Sequence, residues 1–324
     1  MKKPKILVVG SLVMDLIVTT ERFCNAGETV IGTGFTTAPG GKGANQAVQA
    51  ARLGAEVTMV GKVGKDSFGA ELIDSAKQSG VNTDHILITD DAPTAIGNVQ
   101  IQKNKKGTEN RIIVVPGANF KLTVEDVAFL KDEIENYDMV ILQNEIPQEV
   151  NVAVAEYAKA KAVPVMLNPA PASEISPKLI SCLSYISPNE HEAAEIVKVN
   201  TQVGDDQKEY VNELHNMGVE NVIITLGKSG CVFSDKQTIV ESPSIDIAPV
   251  IDPTAAGDSF IGAFCTAISS GVPSKEALVF ANCTAGITVS RIGAQTSLPT
   301  FNEVFFTMKS KGFQTEIYNK IKGE

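Results

Sequence analysis

Short apolar runs rich in β-branched residues alternate with amphipathic stretches along most of the chain. A strand that is covered on both faces has this continuous pattern, because neither of its sides meets solvent. The predicted strands are 6–9, 57–60, 139–143, 163–168, 185–187 and 221–226.

Between the predicted strands, apolar residues recur at helical spacing. Thr123 and Asp126 stand three residues apart, which is typical of a helix start. Strands that alternate with helices over short connections indicate an α/β fold, here a doubly wound, mainly parallel sheet flanked by helices. The predicted helices are 44–53, 67–79, 124–135, 148–160, 190–197 and 207–217.

Two segments lack the helical pattern. Residues 16–39 have alternating apolar positions, and residues 94–115 have the pattern of a hairpin with a polar tip. Both could be loops of the main sheet, but strands without connecting helices fit poorly there, so we favour a small β-sheet lid. The predicted division is 1–15, 40–93 and 116–324 for a nucleotide- and sugar-binding α/β domain, and 16–39 with 94–115 for the lid.

The 324-residue chain has a formal net charge of −10, which makes it a poor candidate for binding nucleic acid or an anionic membrane. Trp is absent and aromatic residues make up 6%, so no aromatic platform for bases is expected. No apolar run approaches the length of a membrane span, and the first is too short for a signal peptide. We therefore expect a cytoplasmic protein.

Gly40, Gly41, Lys42 and Gly43 stand directly before a predicted helix. Glycine lets the backbone approach a ligand closely, and a helix N-terminus offers unpaired N–H groups. The spacing is not that of a P-loop. A glycine-rich turn with a solvated lysine explains the run equally well.

Residues 252–260 bring Ala255, Ala256 and Gly257 to the start of a strongly apolar helix. The N–H groups of a first turn suit the negative charge of a transferring phosphoryl group. Asp258 can accept the proton of an attacking hydroxyl, although aspartate is also a common N-cap. A cap does not need the small residues before it, which favours a catalytic base.

Four further segments carry polar residues at element ends. Asn189 and Glu192 suit a water-mediated Mg²⁺ site, but their spacing alone favours a capping box. Residues 225–230 form either a nucleotide-holding turn or an ordinary one. Glu145 follows a predicted strand and is expected in the crevice, and the loop 290–297 could ligate a monovalent cation.

Together these segments resemble the ribokinase family of sugar and nucleoside kinases, in the family's order and over nearly the whole chain. The runs at 40–47 and 255–258 are specific to that family. The matching parts are Gly10-Ser11 with Asp15, 40–47, 168–171, 188–190 with Glu192, 225–230, 252–258, 293–295 and 297–299.

The resemblance implies transfer of a phosphoryl group from MgATP to the 5-hydroxyl of D-ribose, in a homodimer whose lid is a clasp. The implied catalytic residues are Asp258 as base, the backbone N–H groups of Ala256, Gly257 and Asp258 as an anion hole, and Ala255 beside them. The implied sugar-binding residues are Asp15, Val13, Gly41, Lys42, Asn45, Glu145 and Asp258. The implied nucleotide-binding residues are Asn189, Glu192, Thr225, Gly227, Lys228, Gly230, Gly257 and Asn282. The implied K⁺ ligands are Asp252, Thr254, Thr288, Arg291, Gly293 and Ser297, and Glu192 holds Mg²⁺ through water.

Val13 departs from the family pattern, which has asparagine two residues before the sugar-binding aspartate. An unpaired substrate hydroxyl costs roughly 1–3 kcal/mol, and a sugar without that hydroxyl avoids the cost. Deoxyribokinases of the family have an apolar residue there, so 2-deoxy-D-ribose or another sugar or nucleoside is the alternative substrate. Retention of Asp15, Asn45 and Glu145 favours ribose.

A non-catalytic sugar-binding protein is a further alternative, since a fold does not settle a function. The base Asp258 and its flanking small residues disfavour it. A dinucleotide-dependent oxidoreductase is disfavoured because no G-x-G-x-x-G follows the first strand.

Overall fold

The computed structural model describes residues 2–104, 107–197 and 207–323, whose strands form a nine-stranded and a four-stranded sheet. The strands are β1 (Lys5–Val9), β2 (Val13–Thr20), β3 (Gly34–Gly40), β4 (Glu56–Gly64), β5 (Val81–Thr89), β6 (Ala95–Asn104), β7 (Gly107–Val115), β8 (Met139–Gln143), β9 (Val165–Asn168), β10 (Tyr185–Ile186), β11 (Asn221–Thr225), β12 (Cys231–Ser234) and β13 (Ile239–Ser242).

Helices cover both faces of the large sheet. Among the described residues, no helix is long and apolar enough to cross a bilayer. The helices are α1 (Lys42–Arg52), α2 (Ser67–Gln78), α3 (Leu130–Glu133), α4 (Gln148–Ala160), α5 (Pro177–Ile180), α6 (Glu190–Val197), α7 (Gln207–Asn216), α8 (Ala256–Ser269), α9 (Ser274–Thr288) and α10 (Phe301–Ser310).

The large sheet has the order β13-β12-β11-β10-β9-β8-β1-β4-β5. Neighbouring strands from β11 to β5 are parallel, and β12 and β13 add an antiparallel edge. The predicted mainly parallel sheet is confirmed. Because parallel strands end at one edge, their carboxyl ends create a common crevice for ligands.

The core lies on both faces of this sheet, as the side chains of β1 illustrate. Ile6 and Val8 join the apolar cluster that includes residues of α1, α8 and α9, whereas Leu7 and Val9 join the cluster on the α4 and α7 side. All four side chains are fully buried. Burial on both sides explains why the strand is apolar at successive positions.

The small sheet has the order β3-β2-β6-β7 and confirms the prediction of a separate β-layer. Strand β2 pairs with β3 in antiparallel and with β6 in parallel orientation, and β6 and β7 form the expected hairpin. The sheet extends beyond the expected bounds, because Val13, Asp15 and Gly40 belong to its strands. This extension matters because Val13 and Asp15 are predicted to bind the sugar.

The expected helix over residues 124–135 is wrong. Thr123 and Asp126 do exchange backbone-to-side-chain hydrogen bonds, as a helix start requires. The backbone then continues with bonds between residues three apart, including Val127 to Val124 and Leu130 to Val127. These bonds form successive tight turns, so the α-helix is confined to α3.

Candidate active site

A cleft of about 210 Å³ opens at the carboxyl edge of the large sheet. It draws side chains from the start of α1, the end of β9, the start of α6 and the start of α8. Eight predicted site residues line it: Lys42, Asn189, Glu192, Thr225, Ala255, Ala256, Gly257 and Asp258.

The first turn of α8 leaves two backbone amides without partners at the cleft. Ala255 has a left-handed φ of 60°, and the N–H of Ala256 donates to the carbonyl of Pro253 at 3.2 Å. Among the described residues, the N–H groups of Gly257 and Asp258 have no hydrogen-bond partner. Of the three amides expected in the anion hole, Ala256 is thus used by the turn, and Gly257 and Asp258 are available.

The carboxylate of Asp258 is buried, with 7% of the residue exposed, and is held by two amides of α1. Asn45 Nδ2 donates to Oδ2 at 2.9 Å, and Gln46 Nε2 donates to Oδ1 at 3.0 Å. Within the described chain, no side chain caps α8, and its N-cap residue is Ala255. The alternative that Asp258 is merely a helix cap is therefore excluded.

Glu145 is anchored where β8 meets the turn to α4. Its Oε2 accepts hydrogen bonds from Ser11 Oγ at 2.5 Å and from the backbone N–H of Lys42 at 3.0 Å. Gly41 precedes α1 with a φ of 92°, and a Cβ there would lie 2.8 Å from the backbone nitrogen of Val13. Only glycine fits this crossing without strain. The chain thereby brings the expected sugar-binding residues to one place.

Asp15 lies on β2 between two glycines of the neighbouring strands. A Cβ on Gly40 or Gly97 would come within 2.6 or 2.2 Å of its carboxylate oxygens. Burial, and then the negative charges of Glu145 and Asp258, raise the pKa of Asp15 from 3.8 to about 6. This carboxyl is therefore suited to bind hydroxyl groups rather than a free anion.

Lys42 is half-buried and places its positive charge near the carboxylates of the cleft. Burial alone would lower its pKa, but the charges of Asp258, Glu145 and Glu192 outweigh burial and raise it. The side chain is therefore charged at neutral pH. A positive charge beside the free amides of α8 makes this part of the cleft attractive to phosphate.

The raised pKa of Asp15 predicts a pH-dependent effect of Asp15→Asn on stability. The folded state binds the proton more tightly than the unfolded state, so the free energy of unfolding falls as pH rises from about 4 to 6. Asp15→Asn removes this penalty. It should raise the free energy of unfolding by about 2–3 kcal/mol at pH 8, and by little at pH 4.

Thermal unfolding at the two pH values checks this prediction, with Asp74→Asn on the exposed face of α2 as the control. Equal changes in Tm for Asp15→Asn at pH 4 and pH 8 would contradict the burial argument.

Asn189 and Glu192 form the capping box that their spacing favours. The N–H of Asn189 donates to Glu192 Oε2 at 2.9 Å, and the N–H of Glu192 donates to Asn189 Oδ1 at 2.8 Å. Both residues also line the cleft, and burial raises the pKa of Glu192. Glu192 can therefore cap α6 and also take part in the site, because the cap does not use its second carboxylate oxygen.

A second, mainly apolar pocket of about 590 Å³ adjoins the cleft and shares Pro253 and Ala256 with it. Three of the residues predicted to bind the nucleotide line it, namely Gly227, Lys228 and Asn282. The sequence analysis did not predict the apolar walls of this pocket. The signal for them was the stretch before Asp252, which was assigned to no helix or strand. The walls include Ile245, Ile247, Val250 and Val289.

Gly230 and Asn282 shape this pocket through the backbone. Gly230 has a φ of 95°, and a Cβ there would lie 2.1 Å from the carbonyl oxygen of Ser242. Asn282 Nδ2 donates to the carbonyls of Ser242 at 3.0 Å and Pro243 at 3.2 Å. The amide of Asn282 therefore holds the loop after β13.

Asp252 joins the two loops that were expected to hold a cation. Its oxygens accept hydrogen bonds from the N–H groups of Thr254 and Gly293, each at 2.9 Å. Burial would raise the pKa of Asp252, but hydrogen bonds from the side chain of Thr254 and from the N–H groups of Gly293 and Thr254 outweigh burial and lower it. Thr288 accepts from the N–H of Arg291 at 3.1 Å. These five expected ligands therefore lie on segments that meet.

Oxygen atoms remain available in these loops. Ser297 is fully buried, and its Oγ donates to the carbonyl of Ala294 at 2.7 Å, which leaves the lone pairs of Oγ available to a cation. In the part of the chain that the structure describes, the carbonyls of Thr254, Arg291 and Gly293 accept no hydrogen bond. An all-oxygen donor set suits a hard cation.

The sequence model of a protein family, described as pfkB family carbohydrate kinase, matches residues 3–301 of the chain. The chain belongs to the pfkB family of carbohydrate kinases. Among similar pfkB-type proteins, the ribokinase of Lactococcus lactis is 39% identical over 306 residues, which cover 94% of this chain and 97% of that protein. The ribokinase of Bacillus subtilis is 40% identical over 299 residues, covering 92% and 97%.

A solved structure, Arabidopsis thaliana ribokinase complexed with ribose and ATP, superposes on this pfkB-family chain with a TM-score of 0.87. The two are 32% identical, and the match covers 95% of this chain and 99% of that one. Together with the family match, this similarity identifies the chain as a kinase.

Proposed function

We propose that the protein transfers the terminal phosphoryl group of ATP to the 5-hydroxyl of D-ribose, giving D-ribose 5-phosphate and ADP. The observation that carries the proposal is the buried carboxylate of Asp258, held by Asn45 and Gln46 beside the free amides of Gly257 and Asp258. The similarity to ribokinases from several organisms supports the choice of sugar.

In the proposed reaction, Asp258 accepts the proton of the 5-hydroxyl as that oxygen attacks the terminal phosphorus of ATP. The bond between this phosphorus and the bridging oxygen breaks, and ADP leaves with the electron pair. The amides of Gly257 and Asp258 stabilise the negative charge on the transferred group. Lys42 adds a positive charge to the same region, whereas Asp15 and Glu145 orient the sugar by accepting from its hydroxyls.

Mg²⁺ would be held mainly by phosphate oxygens. In the described ranges, no group of three or more His, Cys, Asp and Glu side chains is arranged to hold a metal ion. Glu192 lines the cleft and has one carboxylate oxygen that the cap does not use, so it fits a site where an ion is held through water. Bound there, Mg²⁺ would neutralise phosphate charge in the transition state.

K⁺ would lie in the loops joined by Asp252, where the carbonyls of Thr254, Arg291 and Gly293 accept no hydrogen bond among the described residues. The residues fit such an ion because they supply uncharged oxygens beside one carboxylate. The loop that contains Asp252 leads directly into Ala255 and the start of α8. A cation held there would stabilise the backbone that carries the anion hole.

A second candidate substrate, 2-deoxy-D-ribose, is favoured by the environment of Val13. A Cβ on Gly97 would lie 3.8 Å from Val13 Cγ1 and 2.2 Å from Asp15 Oδ1, so both side chains flank the same glycine. Val13 therefore presents an apolar surface beside a carboxylate of the sugar site. A sugar that carries hydrogen in place of one hydroxyl suits that surface.

The test of the proposed function is a kinase assay with MgATP and a panel of D-ribose, 2-deoxy-D-ribose, hexoses and nucleosides, with and without K⁺. We expect ADP release with a pentose and, by ³¹P NMR, a phosphate ester at its 5-position. Binding of ATP and sugar without ADP release would support the non-catalytic alternative instead.

We further propose that two copies associate through the small sheet. Residues Ile112, Ile113, Val114 and Val115 are consecutive on β7 and all exposed, so neither face of this edge strand is covered. Phe35 on the opposite edge strand is 68% exposed. Uncovered apolar strands with a free edge are a ready surface for a second copy of the same chain.

Ile113→Lys is expected to convert the dimer to a monomer, because a charge replaces apolar surface in the contact. Light scattering coupled to size exclusion should give the mass of two chains for the wild type and one for the variant. Ile88→Lys, at an exposed isoleucine on β5 of the large sheet, is the control and should remain dimeric. A wild-type protein with the mass of one chain would overturn this proposal.

A further inference from the structure

A chain of buried amides runs beneath the proposed base. Gln46 Nε2 donates to Asp258 Oδ1 at 3.0 Å and to Asn168 Oδ1 at 3.1 Å, and Gln46 Oε1 accepts from Gln143 Nε2 at 2.8 Å. Gln46 and Gln143 are fully buried. Of these residues, only Asp258 has a role in the proposed reaction.

The direction of each amide is determined by a backbone carbonyl at the end of the chain. Asn168 Nδ2 donates to the carbonyl of Ser187 at 3.0 Å, and a carbonyl can only accept. The Oδ1 of Asn168 therefore faces Gln46, which must present its NH₂ group to that side. Both protons of Gln46 Nε2 are then used, one by Asn168 and one by Asp258.

The opposite orientation of Gln46 is disfavoured for a simple reason. Rotation of its amide by half a turn would place Oε1 against the carboxylate of Asp258 and the Oδ1 of Asn168, with two repulsions in place of two hydrogen bonds. Gln143 Nε2 would in turn face the NH₂ group. In a buried site such unpaired contacts are destabilising, because no water is present to replace the lost hydrogen bonds.

From this geometry we infer that Gln46 is the positioning residue of the base, and that the amides of Asn168 and Gln143 hold it in place. The inference rests on the proposed role of Asp258. Gln46 fixes Oδ1 and prevents rotation of the carboxylate, so that its remaining lone pairs face the sugar hydroxyl. A neutral amide does not titrate, so it can hold the base without competing for the substrate's proton.

Asn45, unlike Gln46, is not held in place through all of its polar atoms. It also donates to Asp258, at 2.9 Å, but its Oδ1 has no hydrogen-bond partner among the described residues and it is predicted to bind the sugar. A side chain that binds substrate can exchange its contacts when the sugar arrives. Gln46 has no such freedom because all its polar atoms are already paired inside the protein.

The test compares Gln46→Met with Gln49→Met. Gln49 is a matched control: it lies on the same helix, is fully buried, and donates to the carbonyl of Pro299 at 2.9 Å without contacting Asp258. Gln46→Met should lower kcat at least about tenfold, because a misplaced base transfers protons poorly, and change the KM for either substrate less than about threefold. Gln49→Met should leave kcat within about twofold.

A double-mutant cycle with Asp258→Asn separates positioning from a general structural effect. If Gln46 acts through the carboxylate, Gln46→Met should lower the residual turnover of Asp258→Asn by less than about twofold. An equal fold-loss in both backgrounds would overturn the inference, as would an unchanged kcat in folded Gln46→Met. Undiminished turnover of Asp258→Asn alone would instead refute the base assignment in the proposed function.

Gln143→Met serves if Gln46→Met does not fold. It removes the donor to Gln46 Oε1, together with an Oε1 atom that is buried without a partner in the described residues, so its cost to folding should be small. We expect a fall in kcat of about threefold to tenfold that again disappears in the Asp258→Asn background. An equal loss in both backgrounds would contradict the inference here too.

Discussion

Asp258→Asn is expected to lower kcat by about 10²–10⁴-fold while leaving the affinity for ATP close to that of the wild type. An amide cannot accept the proton of the sugar hydroxyl. The shape of the side chain is retained, and the backbone amides of Gly257 and Asp258 that would face the phosphate remain. The chemical step should therefore be lost and nucleotide binding kept.

Turnover is measured by ADP release, and ATP affinity by calorimetry on the same preparations. Asp66→Asn is a suitable control, because Asp66 caps α2 by accepting from Gly69 and Thr94 and lies outside the cleft. That variant should lose stability and keep kcat. A kcat above one tenth of the wild-type value in Asp258→Asn would show that another group is the base.

Val13→Asn is expected to raise the preference for ribose over 2-deoxyribose by about tenfold to a hundredfold in kcat/KM. The introduced amide would lie on the face of β2 that carries Asp15, where it can pair with a sugar hydroxyl. A hydrogen bond made by one substrate and lost by the other discriminates by about 1–3 kcal/mol. The wild type, with its apolar Val13, should accept 2-deoxyribose well.

Steady-state kinetics with both sugars measure this ratio for the wild type, Val13→Asn and Val18→Asn. Val18 lies on the same strand and pairs with Phe35 and Gln100, farther along the small sheet, so its substitution should leave the ratio unchanged. A strong wild-type preference for ribose that Val13→Asn does not alter would show that Asp15 and Asn45 alone choose the sugar.

The two predictions concern opposite ends of one site. Asp258 lies in the first turn of α8, and Val13 lies on β2 of the small sheet. Since the two residues lie on different elements, we expect the effects of the two substitutions to be independent. Loss of turnover would thus report the chemistry, and a change of preference would report recognition.

Local patterns in the sequence were sufficient to predict the parallel strands and the start of α8. Continuous apolar runs predicted β1, β8 and β11, because a strand buried on both faces has no polar positions. The small residues before Asp258 predicted a close backbone approach, and the free amides of Gly257 and Asp258 are consistent with it. These features depend on neighbours along the chain, which is why a pattern could reveal them.

The partners of Asp258 were decided only by the tertiary structure. Asn45 and Gln46 stand more than 200 residues earlier, and no spacing in the sequence relates them to α8. The same holds for Asp252 with Gly293 and for the glycines that flank Asp15. Packing of α1 against α8, and of β2 between β3 and β6, creates these contacts.

The sequence by itself therefore determined the fold class, the family and the identity of the candidate base, since each depends on local periodicity or on contiguous motifs. Only the tertiary structure showed that Asp258 does not cap α8 and that the N–H of Ala256 donates within the turn. It also showed that residues 124–135 form turns and the short α3 rather than one helix. These outcomes depend on how hydrogen bonds and burial are shared between distant segments. The pattern of side chains along one segment contains no information about how distant segments share hydrogen bonds and burial.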